Sequence, residues 1–585
     1  MSSAVLGNRA LSLTEPERRC PRQKGWRAAL CSLKLLSQTM VRELRCCTDL
    51  FSPSESSCEE LQRAWKVYCS GGKNERERYS LGAFVKASRG IFDFQCRVCG
   101  ESRKRTALHC WEEKMLQEPE PVSSRTLSDL KERVRRLLTC KTDDYWSSWG
   151  GEKDPKVRVP DLNACFEKRV VDGGTFSVSK EKALNPSLWL AGAVRADAVL
   201  TKGKYRVVTM QPAVVKRLLD APMNAAYDWI SSQSWCVRGD VSIDDYATIL
   251  GKGVYVSGDY SSATDNLCPD AVYAVVTVLA EFLPLREADL LRRSFLPFLW
   301  QGGRTCGLDD KINSVRLRSE WKRVLRGSMM GSKFSFVVLC LLNRVSFDRA
   351  AGCRTFKSPG YDNDGVPVLI NGDDIAFCDD KGGELYQAWI AKVREVGFVV
   401  NEEKTKRSTL YVELNSTPCC ITTLKLLPRP SFGVLSAQSE MSHPNNEWYV
   451  PDWQSVLDLC NNLHWSTWTW FCSQTPVVER LKKSGIAPGA FSRRQWRFFV
   501  KKKWFRLLAV SAPTETVVNT LPMVKGPLLT PIDEETVCAL EKAYTRLFIS
   551  RGLGGNHSMQ KRRIRPERPS GPVPARIERE SVWVR

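Results

Sequence analysis

No run of apolar residues in this chain of 585 reaches the ~18 needed to cross a bilayer. The nearest approaches, Ala271–Ala280 and Phe334–Leu342, have the length of core elements. The N-terminal stretch MSSAVLGNRALSLTEPERR has no apolar h-region, so no secretory leader is expected. Internal repeats are absent, which argues against a solenoid or propeller. Disulfide-framework spacing is absent too. The 22 cysteines are scattered, with adjacent pairs at Cys46-Cys47 and Cys419-Cys420, and the expectation is a reduced, intracellular chain that is not secreted. Acid is in short supply. Lys and Arg number 87 against 65 Asp and Glu, a formal charge of +22. That surplus implies a polyanionic partner, nucleic acid first and a membrane surface second.

At 43% hydrophobic and 26% charged the chain is globular, and its length calls for several subdomains. Residues 1–125 are rich in Cys and basic residues and break often. From 126 to 250 helical patterns alternate with basic loops. From 251 to 430 come short apolar strands, two long helical patterns and a hairpin. From 431 to 554 the pattern is helical and rich in Trp. The last 30 residues hold eight Lys or Arg, three Glu and four Pro, so 555–585 reads as a disordered basic tail.

The hairpin carries the chemistry. In VLINGDDIAF (Val368 to Phe377), Asp373 and Asp374 stand side by side between apolar strands, and Asn371-Gly372 is a hairpin-turn signal. Adjacent carboxylates at such a tip repel unless a cation lies beside them, and a hard divalent ion, Mg²⁺ or Mn²⁺, suits oxygen ligands. The alternative is an acidic surface turn. A further carboxylate comes from VYVSGDYSSATDNL (Val254 to Leu267), where Asp259 falls at a strand end and Asp265 follows six positions on. Three such aspartates can hold two ions about 3.5–4 Å apart for phosphoryl or nucleotidyl transfer. The alternative is a helix N-cap, for which Asp265 is the better placed. Between the two segments, RGSMMGSKFSFVVLCLLN (Arg326 to Asn343) leads from Gly327 and Gly331 into an apolar helix. Those glycines permit close approach to a sugar or phosphate, or serve a plain buried helix.

The order SGDYSSATD, GSMMGSKFSF and NGDD is similar to motifs A, B and C of viral RNA-dependent RNA polymerases. The flavour is that of the ourmiavirus-like (botourmiavirus) group, related to narnavirus and levivirus replicases. Spacings of 72 residues from Asp259 to Gly331 and 42 from there to Asp373 suit an unpermuted palm, and the resemblance runs over roughly 190–430. It implies an α+β right-hand polymerase: an antiparallel palm sheet (251–430, with inserted fingers elements at about 285–320), fingers (126–250), a helical thumb (431–554) and a helical N-terminal extension (1–125).

By that resemblance Asp259 and Asp373 ligate both ions and Asp374 supports them. Asp265 and Ser335 read the ribose 2′-hydroxyl beside Gly331. Many positive-strand polymerases carry Asn where this chain has Leu339, with Asn343 a turn further on, so sugar selection rests more on Asp265 and Ser335. TKGKYRVVT (Thr201 to Thr209) resembles the basic motif F, with Lys202, Lys204 and Arg206 for the triphosphate and Arg195 in the same cluster towards RNA; the alternative is a solvated edge strand. GFVVNEEKTKRS (Gly397 to Ser408) resembles motif D, with Lys404 protonating pyrophosphate and Lys406 as its rival. YVEL (Tyr411 to Leu414) resembles motif E, which supports the primer, with Glu413 on the RNA side. The partners implied are an RNA template, its product duplex and nucleoside triphosphates, for a positive-strand RNA virus in the host cytoplasm or at membrane-associated replication sites.

FSRRQWRFFVKKKWFR (Phe491 to Arg506) has seven basic residues and no acid. Its aromatics would anchor a helix while Arg493, Arg494, Arg497, Lys501, Lys502 and Lys503 meet duplex phosphates. The alternative is peripheral association with a membrane surface. CRVCGESRKRTALHC offers Cys96, Cys99, His109 and Cys110 as a candidate Zn²⁺ site, against buried reduced thiols. A reverse transcriptase shares the acidic hairpin, but such enzymes place a bulky aromatic near the sugar. A non-catalytic nucleoprotein accounts for the charge but not for three ordered aspartates.

Overall fold

The structure is a computed structural model and describes residues 24–44, 50–53, 58–72, 74–94, 100–139, 163–181, 191–300, 321–352, 366–436, 451–483 and 491–511. It is a mixed helix and sheet protein. The strands are β1 Ala193–Thr201, β2 Lys204–Met210, β3 Val254–Gly258, β4 Phe298–Trp300, β5 Trp321–Arg323, β6 Val368–Asn371, β7 Asp374–Asp379, β8 Lys406–Ser408, β9 Tyr411–Leu414, β10 Thr417–Cys420 and β11 Lys425–Leu426. They form three sheets, ordered β2-β1-β4-β5, β6-β7-β3-β8 and β11-β10-β9. All pairings are antiparallel except the short one between β1 and β4.

The central sheet, β6-β7-β3-β8, is buried on both faces by side chains that alternate with the pleat. Val256, Val368, Ile370, Ile375 and Phe377 point into a core with helices Pro269–Glu281, Ser335–Ala350 and Glu384–Arg394. Tyr255, Leu369, Ala376 and Cys378 point the other way, towards Tyr246 and the β9–β10 strands. Helix Ser335–Ala350 is buried almost all round, as an apolar run with few polar breaks requires. The two apolar runs of the sequence are thus core helices. Among the described residues no helix is long and apolar enough to cross a membrane.

The strands flanking 301–320, β4 and β5, join the same sheet as the basic β1–β2 hairpin. Helix Gly100–Met115 lies on that hairpin. Arg103 donates to the Gly203 carbonyl at 3.3 Å, and Lys104 pairs with Asp197 at 2.9 Å. These two cations therefore serve packing within the chain.

The N-terminal segment, read as a helical extension that breaks often, packs into a core shared with the C-terminal helices. Trp26, Leu33, Leu36, Leu61, Trp65 and Phe92 share one core with Phe432, Trp453, Trp468, Phe471, Phe499 and Phe505. Residues 24–92 and 432–505 thus complete a single helical unit from the two ends of the described chain, and each supplies the apolar face the other lacks. Trp65 is 1% exposed and donates its indole N–H to Ser88 Oγ at 2.8 Å. Trp65→Ala should cost about 3–5 kcal/mol in a denaturant unfolding experiment. It should also open 451–511 to limited proteolysis together with 24–92. Cleavage confined to the N-terminal helices would show that the two ends fold separately.

Candidate active site

Chain order brings the acidic residues together at one end of the central sheet. The register Asn371↔Asp374 closes β6 and β7 with a two-residue loop, Gly372 and Asp373. The turn therefore sits one residue later than the Asn-Gly signal suggests. Gly372 supplies its positive φ of 64°, while Asn371 is a strand residue whose amide donates to the Val237 carbonyl at 3.1 Å. Asp373 is at the tip and Asp374 opens β7. On the neighbouring strand Gly258 pairs with Ile375, and one further step sets Asp259 opposite Asp374.

Three carboxylates so placed repel one another. Burial, followed by the charge on Asp259, raises the Asp373 carboxyl above the usual carboxylate range, although Arg206 and Lys404 offset part of it. Burial and the charge on Asp373 push Asp374 up to about 7. Asp373 is nevertheless open to solvent at the loop tip, and Asp374 is half-buried. Oxygen-only donors at adjoining strand ends are of the kind a hard divalent cation takes. Their side chains do not yet form a ligand cage. Among the described residues no group of three or more His, Cys, Asp or Glu converges closely enough to hold an ion. The cation on Asp259 is the Lys404 ammonium, 3.0 Å from Oδ2.

Lys404 reaches Asp259 because the 401–405 turn is bonded to the end of β3. Asn401 N–H donates to the Asp259 carbonyl at 2.8 Å, and Asp259 N–H donates to Thr405 Oγ1 at 3.3 Å. Its rival Lys406 is committed elsewhere, 2.7 Å from Glu413 and over the Tyr79 ring. Glu413 lies between Lys406 and Lys86 with its side chain 9% exposed. Burial works to raise its pKa, but Lys86 and then Lys406 outweigh it and the net shift is downward. Glu413 is thus the centre of an internal ion-pair trio, not an open RNA-facing group.

A buried polar relay fixes the acidic loop. Trp389 donates its indole N–H to the Tyr260 hydroxyl at 3.1 Å, and Tyr260 donates to Asn343 Oδ1 at 2.8 Å. Asn343 Nδ2 donates to the Gly372 carbonyl at 3.1 Å. Asn343 is fully buried. It therefore ties the residue after Asp259 to the residue before Asp373 and is not available to a sugar.

Asp265 and Ser335 are brought near one another through Ser328. Ser328 N–H donates to the Thr264 carbonyl at 2.7 Å, and its hydroxyl meets Ser335 Oγ at 2.7 Å. Asp265 caps no long helix. It lies in the short helix Ala263–Asn266, and Cys268 is the N-cap of the one that follows. Gly331 also departs from expectation. Its close approach is to protein: a Cβ there would lie 1.6 Å from the Thr209 carbonyl oxygen, and its N–H donates to Thr209 Oγ1 at 3.0 Å. The glycine thus locks this loop to β2.

On the basic hairpin, Lys204 and Arg206 share one exposed face of β2, a sheet edge, while Lys202 sits in the turn with φ 54°. Burial, then Arg89 and Arg206, lower the Lys202 ammonium pKa; burial, then Lys66, Lys404 and Arg89, lower that of Lys204. Arg195 is half-buried and donates to the Cys165 carbonyl at 3.0 Å.

Sequence reasoning missed Arg89. It lies on the Arg89–Phe92 turn, which meets the hairpin tip where Gly203 N–H donates to Asp93 Oδ1 at 2.6 Å. Burial and Arg206 push its guanidinium pKa down, with Asp259, Glu413 and Asp374 offsetting. A lone basic residue in a helical stretch carries no signal that it will meet an acidic loop nearly 300 positions away.

The aromatic and basic stretch divides as expected. Trp496, Phe499 and Phe505 are buried, and Arg493, Arg494, Arg497, Lys501 and Lys503 are exposed, with Arg494 over the Trp465 ring. Lys502 is half-buried, against Phe498 and Ser473. Of the candidate zinc ligands, Cys96 and Cys99 lie outside the described residues. His109 and Cys110 are exposed neighbours on a helix, and His109 is 3.3 Å from Glu113.

No family model matches the chain. The RNA-dependent RNA polymerase of Ourmia melon virus (isolate Melon/Iran/VE9) is 29% identical over 293 residues. That relative is a viral RNA polymerase. The match covers 44% of this chain and 32% of the relative, so it spans just under a third of the relative's length. Among solved structures, the RNA-dependent RNA polymerase of a human picobirnavirus overlaps with a TM-score of 0.38 at 15% identity, over 66% of this chain and 74% of that one. Its insertion-loop deletion mutant gives 0.43 at 13%, over 73% and 88%.

Asn343→Leu keeps the volume but strips the Tyr260 hydroxyl and the Gly372 carbonyl of their partner. It should lower stability by about 2–4 kcal/mol in denaturant unfolding. A change below about 0.5 kcal/mol, within the range of ordinary surface substitutions, would show that the relay does not hold the acidic loop.

Proposed function

We propose that this chain is an RNA-dependent RNA polymerase that copies the genome of a positive-strand RNA virus by nucleotidyl transfer. The observation that carries this reading is the placement of Asp259, Asp373 and Asp374 at adjoining strand ends, within the field of a basic hairpin whose Arg206 is felt at Asp373. Sequence similarity to the melon virus polymerase supports it. In this reading the central sheet is the palm, the β1–β2 sheet belongs to the fingers, and the C-terminal helices form the thumb.

Asp259 and Asp373 would hold two divalent cations, Mg²⁺ or Mn²⁺, with Asp374 beside them. Bound there, the ions lower the pKa of the attacking 3′-hydroxyl and neutralise the leaving oxygen. The chain's own residues do the rest. Lys202, Lys204, Arg206 and Arg89 form a group of mutually repelling cations, and a triphosphate relieves that repulsion on binding. Lys404 carries a proton on Nζ at the edge of the site and delivers it to pyrophosphate as the latter leaves. Asp265 accepts a hydrogen bond from the ribose 2′-hydroxyl. The exposed face of Arg493, Arg497, Lys501 and Lys503 meets duplex phosphates.

Primer extension on an RNA template tests the reading. Wild-type protein should extend with ribonucleotides in Mg²⁺ and stop when the ion is chelated. Asp373→Asn should lower turnover on the order of 10²–10³-fold or more while RNA affinity stays within about twofold, because one charge is lost where transition-state charge is balanced. Wild-type turnover in that variant, or extension with deoxynucleotides alone, would contradict the proposal.

A further inference from the structure

The helix Gly100–Met115 precedes the segment whose motifs resemble a polymerase palm, yet it reaches the nucleotide site. Its last turns bury Trp111 and Met115 among Val194, Leu299, Val324 and Met329. The Met115 carbonyl accepts from Leu325 N–H at 2.9 Å, which fixes the helix end to the loop leading to Gly331. Trp111 is 8% exposed, and its indole Nε1–H donates to Asp265 Oδ1 at 3.2 Å. The loop around Asp265 is itself pinned by Ser328 N–H on the Thr264 carbonyl and by Gly327 N–H on the Leu267 carbonyl.

Nothing on the helix Ser335–Ala350 performs this task. Leu339 is buried in the core and Asn343 is committed to Tyr260 and Gly372. Ser335 meets Ser328. Among the described residues the indole is the one hydrogen-bond donor to the Asp265 carboxylate, and it engages a single oxygen. Indole N–H donates and never accepts, so the carboxylate keeps its acceptor capacity on Oδ2. A carboxylate with one oxygen fixed and the other open is suited to accept from one hydroxyl.

We propose that Trp111 is a positioning residue for sugar selection: it holds Asp265 so that the free oxygen meets the 2′-hydroxyl of an incoming ribonucleoside triphosphate, which makes the N-terminal segment part of the nucleotide site. The inference rests on the reading of Asp265 as the ribose acceptor. A deoxynucleotide leaves that oxygen unpaired in a partly desolvated place, and the site rejects it on that ground. Burial raises the Asp265 carboxyl pKa, while the indole N–H and then the Lys114 ammonium work against that rise and favour the ionised acceptor.

The test is the ratio of kcat/KM for a ribonucleotide to that for its deoxy analogue, in the full chain on one RNA primer-template. The ratio cancels the amount of folded protein, so a partly misfolded variant does not imitate the effect. Trp111→Phe keeps an aromatic ring, though a smaller one, and removes the donor, and should lower the ratio on the order of tenfold, the scale of a hydrogen bond to a charged group. Trp111→His, which retains a ring N–H, should recover part of that loss. Asp265→Ala should lower the ratio at least as far, and the double variant Trp111→Phe/Asp265→Ala should go no lower than Asp265→Ala alone. A wild-type ratio in Trp111→Phe, with a lowered one in Asp265→Ala, would overturn the role of Trp111 and leave the reading of Asp265 standing. An unchanged ratio in Asp265→Ala would overturn that reading and the inference with it.

Discussion

The acidic site depends on one buried amide. Asn343 accepts from Tyr260 and donates to the Gly372 carbonyl, so it joins the strand that ends in Asp259 to the loop that carries Asp373. Trp389 continues the relay into the core, and none of these polar atoms is left without a partner. Such a network in a dry interior is costly to disturb and specifies one geometry. The carboxylates repel one another, and the relay, with the β3–β7 pairing, anchors the loop against that repulsion. The relay lies in the scaffold and not among the acids, so the loop is positioned by buried groups while Asp373 itself stays open to solvent.

The second organising constraint is charge. Acids gather at the strand ends, and cations arrive from three separate segments: Lys404 from the turn before β8, Arg206 on the basic hairpin, and Lys86 and Arg89 from the N-terminal helices. The two groups overlap incompletely. Lys404 pairs directly with Asp259, whereas Arg89, Lys202 and Lys204 chiefly repel one another. An arrangement with excess negative charge beside excess positive charge matches a substrate with metal-bound phosphates between them.

The acidic hairpin was legible because its pattern is local: alternating apolar residues, a glycine where positive φ is needed, and two aspartates where no core residue belongs. The helix Ser335–Ala350 was legible for the same reason, since a long apolar run has one economical fate. What stayed hidden depends on contacts across long stretches of chain. Trp111 to Asp265 spans 154 positions, and Lys86 to Glu413 spans 327. Neither residue type announces such a partner. Glu413 sits in a strand that resembles a primer-supporting motif, but pairing with two lysines took it inside. A glycine such as Gly331 marks a close approach in the sequence, to a ligand or to the protein itself, and the Thr209 carbonyl is what lies against it in the fold. The shared core of Trp65 and Trp468 escaped because its two halves lie about 400 positions apart and neither segment names the other as its partner.

In the proposed reading the three aspartates share divalent cations, and the Lys404 ammonium occupies Asp259 in their stead. Titration of the full chain with Mn²⁺, followed by electron paramagnetic resonance of the free ion, tests it most directly. Asp259→Asn and Asp373→Asn should each weaken binding on the order of tenfold or more, because each removes a charged oxygen donor. Lys404→Ala should tighten it, because the competing cation is gone. Equal Mn²⁺ affinity in the wild type and all three variants would contradict the account.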